Sequence, residues 1–98
     1  MAQFADMEGN AGEAAELLKA MASPHRLMLL CLLADEERSV SDLTAEMGLR
    51  QATVSQHLAR LRQEGLVATR REAQTIYYSI ANKAAAAIIR ILYKTYCS

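Results

Sequence analysis

The sequence is poor in the residues that usually carry catalysis. Its 98 residues hold two cysteines and two histidines, with no C-x-x-C pair, no zinc-type ligand spacing and no glycine-rich stretch to cradle a phosphate. With the histidines far apart and no clustered carboxylates, no acid–base or nucleophile constellation remains, so the chain does not read as an enzyme. One proline, four glycines and no single-residue run longer than the four alanines Ala84 to Ala87 argue against a disordered or low-complexity chain. The longest apolar runs, Leu27 to Ala34 and Ala84 to Ile89, fall well short of the roughly 20 residues that cross a bilayer. The start, MAQFADMEGN, lacks a basic segment followed by an apolar one, so a cytoplasmic location without a membrane partner is expected.

What is present is a core-forming composition. At 52% hydrophobic and 22% charged, residues 1–98 suit a single globular domain. A core this small leaves apolar surface uncovered, and the Ile- and Ala-rich C-terminal segment is a candidate for cover by a second subunit.

Net charge is zero, but it is unevenly spread. Met1 to Leu49 carries three bases against nine acids, net −6, whereas Arg50 to Ser98 carries eight bases against two acids, net +6. Such asymmetry concentrates positive potential where it can meet phosphate, although a dipolar surface without function would look the same.

The periodicity predicts mainly helix with one small β-hairpin. Ala15, Leu18, Met21 and Ala22 give a first amphipathic helix over 12–22, preceded by a flexible segment over 1–11. Ser23-Pro24 places a capping hydroxyl and a first-turn proline before a core helix running to about Ala34. After a polar linker, Asp35 to Ser39, Ser41 is expected to cap a short third helix that carries Leu43 and Met47 inward and stops at Gly48. The fourth helix spans Gln51 to Glu64 and closes at Gly65, which makes a helix-turn-helix. Strands Leu66 to Arg71 and Thr75 to Ile80, joined by Glu72-Ala73-Gln74, then form a wing. Asn82 caps a last helix over 83–97 whose apolar face is too wide for one small core, which argues for a dimer seam.

On the fourth helix Val54, Leu58 and Leu61 form the inward stripe, while Ala52, Gln56, Ala59, Arg60 and Gln63 point away and Thr53 and Ser55 flank them. Small residues interleaved with amides and hydroxyls allow close approach to base edges. Gln51 or Gln56 suits adenine N6 and N7, and Arg60 suits guanine or a phosphate. An ordinary solvated helix face is the plain alternative, and the wing that follows, with Arg70 and Arg71, favours the nucleic-acid reading. Adjacent in a strand, these arginines leave on opposite faces, one toward the minor groove or backbone, the other toward Glu64 or Glu72. His57 reads as a half-buried packing histidine and His25 as a solvated one.

These residues spell a known pattern. LLKAMASPHRLMLL followed by TVSQHLARLRQEGLVATRREAQTIYYSI resembles the ArsR/SmtB family of dimeric winged-helix repressors, from about Ala14 to Cys97. Cys31 within RLMLLCLL, the string REAQTIYY and the ending ILYKTYC resemble one branch of it, that of HlyU, YgaV, BigR and SqrR. The resemblance implies dimerisation through the first and last helices and an inverted-repeat operator in double-stranded DNA. It assigns DNA contact to Gln51, Thr53, Ser55, Gln56 and His57 in the reading helix and to Arg70 and Arg71 in the wing. Departures are equally informative. Metal-sensing relatives carry Cys-x-Cys before the third helix, where this chain has Arg38-Ser39-Val40-Ser41. Others hold zinc with Asp and His on the last helix, yet Lys83 to Ser98 contains no His, Asp or Glu. No metal site and no cofactor is therefore implied. Relatives also commonly place Ser before the Gln that opens the reading helix. Arg50 stands there instead, losing about 1 kcal/mol of capping while offering a charge to phosphate.

Read alone, Cys31 is a packing residue in a core helix and Cys97 a loosely held thiol. The branch that the chain resembles links the matching cysteines to each other in response to persulfides or oxidants, which implies a Cys31/Cys97 thiol switch governing operator release. Two alternatives stay open: a regulator that answers to a metal or metalloid or has no thiol switch, and a winged-helix module that docks a protein partner.

Overall fold

Ser23-Pro24 sets the first corner of the chain. In the computed structural model, which describes residues 2–97, α1 (Ala2–Met21) ends just before it and α2 (Pro24–Leu32) starts at it. The Ser23 hydroxyl accepts the Arg26 N–H at 3.3 Å, and the Arg26 side chain turns back to donate to the Ala20 and Lys19 carbonyls at the end of α1. Two sets of unpaired helix-terminal groups are thereby satisfied at one corner.

The remaining order is β1 (Arg38–Ser39), α3 (Val40–Met47), α4 (Gln51–Gln63), β2 (Val67–Glu72), β3 (Thr75–Ile80) and α5 (Lys83–Cys97). The strands make one antiparallel sheet in the order β1-β3-β2, with Arg38 opposite Tyr78 and Val67 opposite Ile80. Leu29, Leu30, Leu43, Val54, Leu58, Leu61, Leu66 and Ile89 are almost wholly shielded and form one core shared by α2, α3, α4 and α5. The inward stripe expected on α4 is therefore the stripe that is buried. Five helices and a wing make this a winged helix-turn-helix.

Four local expectations are corrected. Residues 2–11, expected as a flexible segment, are helical and continuous with α1. No proline interrupts them, although Gly9 is a weak helix former, and the Asn10 amide donates to the Asp6 carbonyl one turn back at 2.8 Å. The cap of α3 is Ser39, whose hydroxyl accepts the Asp42 N–H at 3.1 Å, rather than Ser41. The linker before α3 is partly a third strand, because Arg38–Ser39 adds to the free edge of β3. Finally, the wing turn has two residues instead of three: Glu72 still pairs with Thr75, and Ala73 takes up a left-handed φ of +56°. Asn82 caps α5 as expected, its side-chain oxygen accepting the Ala85 N–H at 2.8 Å.

The two terminal helices are left with exposed apolar surface. Phe4, Met7 and Leu18 on α1 and Ile91, Tyr93 and Tyr96 on α5 are exposed, Tyr96 by 80%. The resulting outline is elongated, 50 × 31 × 20 Å.

Candidate nucleic-acid interface

The outer face of α4 is held in place by the core beneath it. Val54, Leu58 and Leu61 anchor one side, so Gln51, Ala52, Ser55, Gln56 and Ala59 project into solvent, with Thr53 half-buried beside them. Gly48, at φ +66°, makes the left-handed stop that lets the chain swing from α3 into α4. Arg50 stands at the N-cap with extended backbone and no side-chain cap bond. The first-turn N–H groups are thus left facing outward with the positive end of the helix dipole, an arrangement suited to a phosphate. Gln51 also lines a groove of 190 Å³ with Ser41 of α3 and Gln74, Thr75 and Ile76 of the wing, so the tip of the reading helix, α3 and the wing converge.

Not every expected contact residue is available in the same way. Arg60, expected to point away, is half-buried, with its guanidinium 3.9 Å from Glu64 one turn on. Arg62, to which helical periodicity alone assigns no role, is exposed in the last turn of the same helix. His57 is half-buried and meets His25 edge to face, ring centroids 5.3 Å apart, so His25 is a packing partner as well as a solvated side chain. Burial, then the nearby His25 and Arg26, hold the His57 imidazole below the ordinary histidine range.

The two wing arginines also differ. Arg70 donates to both carboxylate oxygens of Glu37 and, at 2.8 Å, to Glu72, while its guanidinium lies over the Tyr77 ring, 4.7 Å from the centroid. Glu72 was an expected partner for one of the pair. Glu37, from the linker, was not, since nothing in a linear reading brings it to the wing. Arg71 bonds only to the Ala73 carbonyl at 3.2 Å and has no acidic partner among the described residues.

Cys31 lies half-buried on α2 and Cys97 exposed at the end of α5, and both are free thiols. Burial, and after it the charge on Cys97, push the Cys31 thiol up. Cys31 opens onto a cleft of 270 Å³ whose other walls are Ala34, Asp35, Ala86, Ile89, Arg90 and Tyr93. Among the described residues no three His, Cys, Asp or Glu side chains gather as a metal set, and no helix is long and apolar enough to cross a membrane.

Comparison with known proteins agrees with this architecture. Residues 23–69, which include the helix-turn-helix, match the family described as bacterial regulatory protein, arsR family. The chain is 48% identical to the transcriptional activator HlyU of Vibrio cholerae over 94% of its own length and 85% of that protein. It is 47% identical to the HTH-type transcriptional regulator YgaV of Escherichia coli over 99% of both. The solved structure of reduced HlyU from Vibrio cholerae superposes with a TM-score of 0.91 at 47% identity, covering 95% of this chain and 98% of that one. The repressor BigR of Xylella fastidiosa superposes with a TM-score of 0.87 at 43% identity, covering 95% of each. These relatives are regulators and not enzymes. With its core, wing and reading helix in the same arrangement, the chain belongs to the ArsR/SmtB family of winged-helix, DNA-binding transcriptional regulators.

Proposed function

We propose that two copies of this chain form a homodimer that binds an inverted-repeat operator, and that Cys31 and Cys97 control the binding. The observation that carries the switch is that the only two cysteines are both free thiols, one half-buried on the core helix α2 and one exposed at the end of α5. One structural neighbour is the reduced form of HlyU from Vibrio cholerae.

Dimerisation is supported by the uncovered apolar faces of α1 and α5. In this reading Gln51, Thr53, Ser55 and Gln56 face bases, Arg50 and Arg71 meet phosphate, and Arg70, Arg60 and His57 hold the surface in shape. A bond between Cys31 and Cys97 ties the dimer helix to the core helix. Moving α5 against its partner alters the separation of the two reading helices, which a two-fold site requires near one turn of DNA, roughly 34 Å. A persulfide or an oxidant is the signal, and the protein works in the cytoplasm, where the DNA is.

The test is DNA binding by reduced protein, persulfide-treated protein and the Cys31→Ser and Cys97→Ser variants. Reduced protein is expected to bind with a steep salt dependence, treated wild type to release, and both variants to stay bound after treatment. Release by the variants, or loss of affinity while mass spectrometry finds both thiols unmodified, overturns the switch.

A further inference from the structure

Between the start of the reading helix and the turn of the wing runs the groove of 190 Å³ that Gln51 shares with α3, and no charged side chain lines it. Its polar walls are Ser41, Gln51, Gln74 and Thr75, all exposed, and none of their side chains makes a hydrogen bond among the described residues. Val40 and Ile76 add apolar surface, Ile76 being 41% exposed. Free hydroxyl and amide donors beside exposed methyl groups suit a sugar–phosphate strand, whose phosphate accepts hydrogen bonds and whose deoxyribose packs on apolar atoms. The position agrees with the chemistry. Neighbouring major and minor grooves of a duplex are separated by one backbone strand. With the reading helix in the first and the wing at the second, that strand has to pass between Gln51 and the wing turn.

We propose that this groove seats the backbone strand dividing the two DNA grooves, with the Ser41 and Thr75 hydroxyls and the Gln74 amide donating to one phosphate while Val40 and Ile76 pack on its deoxyribose. The inference rests on the DNA-binding reading and adds residues that lie off the reading helix and carry no charge. The grip is therefore neutral. Arg50 and Arg71 attract DNA of any sequence by displacing counterions, whereas an uncharged donor displaces none and acts only on a phosphate at hydrogen-bond distance. Gln51 forms the wall on the major-groove side, so holding the strand sets the reach of Gln51 to the base edge that it reads. Ser41, Gln74 and Thr75 are positioning residues: they fix the register of the reading helix without touching a base.

Binding is measured over a salt series on a duplex that the wild-type protein selects from random sequence, with Ser41→Ala/Thr75→Val as the test variant. Removing both hydroxyls is expected to weaken binding by about tenfold or more, with the slope against salt unchanged. Ser41→Thr/Thr75→Ser keeps both hydroxyls and should bind as wild type does, which separates lost donors from a disturbed fold. Single methylphosphonates placed in turn along one half-site then locate the strand. At one phosphate the replacement should cost wild type about tenfold more than it costs the Ala/Val variant, the equivalent of roughly 1.4 kcal/mol. Four results overturn the backbone seat while DNA binding stands: an Ala/Val variant that binds as tightly as wild type, a slope that falls by about one per subunit, equal costs at every phosphate, or weakened binding by the hydroxyl-retaining variant. Failure of the wild-type protein to select any duplex overturns the DNA-binding reading and the seat with it.

Discussion

Arg70 and Glu37 are joined side chain to side chain across 33 residues of chain, the guanidinium of the wing donating to both oxygens of a linker carboxylate. Glu72 takes a third donor and Tyr77 lies beneath, so Arg70 is occupied on every side. The pairing keeps the Glu37 carboxyl below the usual carboxylate range and the Arg70 guanidinium above its own. Of two adjacent arginines, the structure thus commits one to fixing the wing and leaves the other for a partner.

The division predicts unequal effects on DNA binding. Each phosphate contact contributes about 0.9 to the slope of log affinity against log salt. Arg71→Ala should reduce that slope by about one per subunit and weaken binding to all sequences alike. Arg70→Ala should leave the slope nearly unchanged, and Glu37→Gln combined with Glu72→Gln should steepen it by freeing Arg70 of both carboxylates. Fluorescence anisotropy on a labelled operator over a salt series measures all three. Equal losses from the two alanine variants would sink the assignment.

Arg50 presents a trade-off between helix stability and binding. With no side-chain bond at the α4 N-cap, a serine there should add about 1 kcal/mol by accepting a first-turn N–H. In a domain of this size that raises Tm by roughly 4–8 °C. The same change removes a cation from the end of the reading helix, so operator affinity should fall and the salt slope should drop by about one per subunit. Thermal melts and binding titrations on Arg50→Ser check both halves; a variant that is more stable and binds equally well refutes the phosphate role.

Local signals of this kind are the ones legible in the sequence. Ser23-Pro24, Asn82 and Gly48 act within one turn of themselves, and each does in the structure what its chemistry implies. The stripe of Val54, Leu58 and Leu61 is legible because burial follows the helical period. Ser39 is hidden behind Ser41 because the polar linker contains a two-residue strand whose pairing with β3 decides where α3 begins. Glu37 with Arg70 and His25 with His57 are illegible for a different reason: both contacts join distant segments that only the packed core brings together. In the candidate site, periodicity picks out the outer residues of α4, but which arginines remain unpaired depends on contacts that no linear pattern carries.

The wing turn contains a correctable strain. Ala73 adopts a φ of +56°, a region that costs a residue with a Cβ about 1 kcal/mol or more and costs glycine almost nothing. Ala73→Gly should therefore stabilise the hairpin, offset in part by the greater freedom of glycine in the unfolded chain, for a net gain of under about 1 kcal/mol. Urea unfolding at fixed protein concentration measures it, and a loss of stability would show that the turn is not strained.

His57 should make stability depend on pH in a window set by its own titration. Its folded-state pKa lies below the ordinary 6.5 because burial, His25 and Arg26 all oppose the imidazolium. The unfolded chain therefore holds the proton at pH values where the folded chain has released it, and stability rises with pH there. The contribution is fully present above about pH 6.5 and is lost as pH falls through the depressed folded value. Glu37 acts with the same sign but lower, since its carboxyl begins to lose its advantage only below its ordinary 4.5. Urea midpoints between about pH 7.5 and about pH 5.5 thus report mainly on the histidine pair. His57→Gln should flatten the profile in that range, and His25→Ala should flatten it in part by removing one of the neighbouring charges. Should His57→Gln retain the full wild-type slope at matched protein concentration, the pH dependence belongs to some other group and the packed imidazole pair is electrostatically silent.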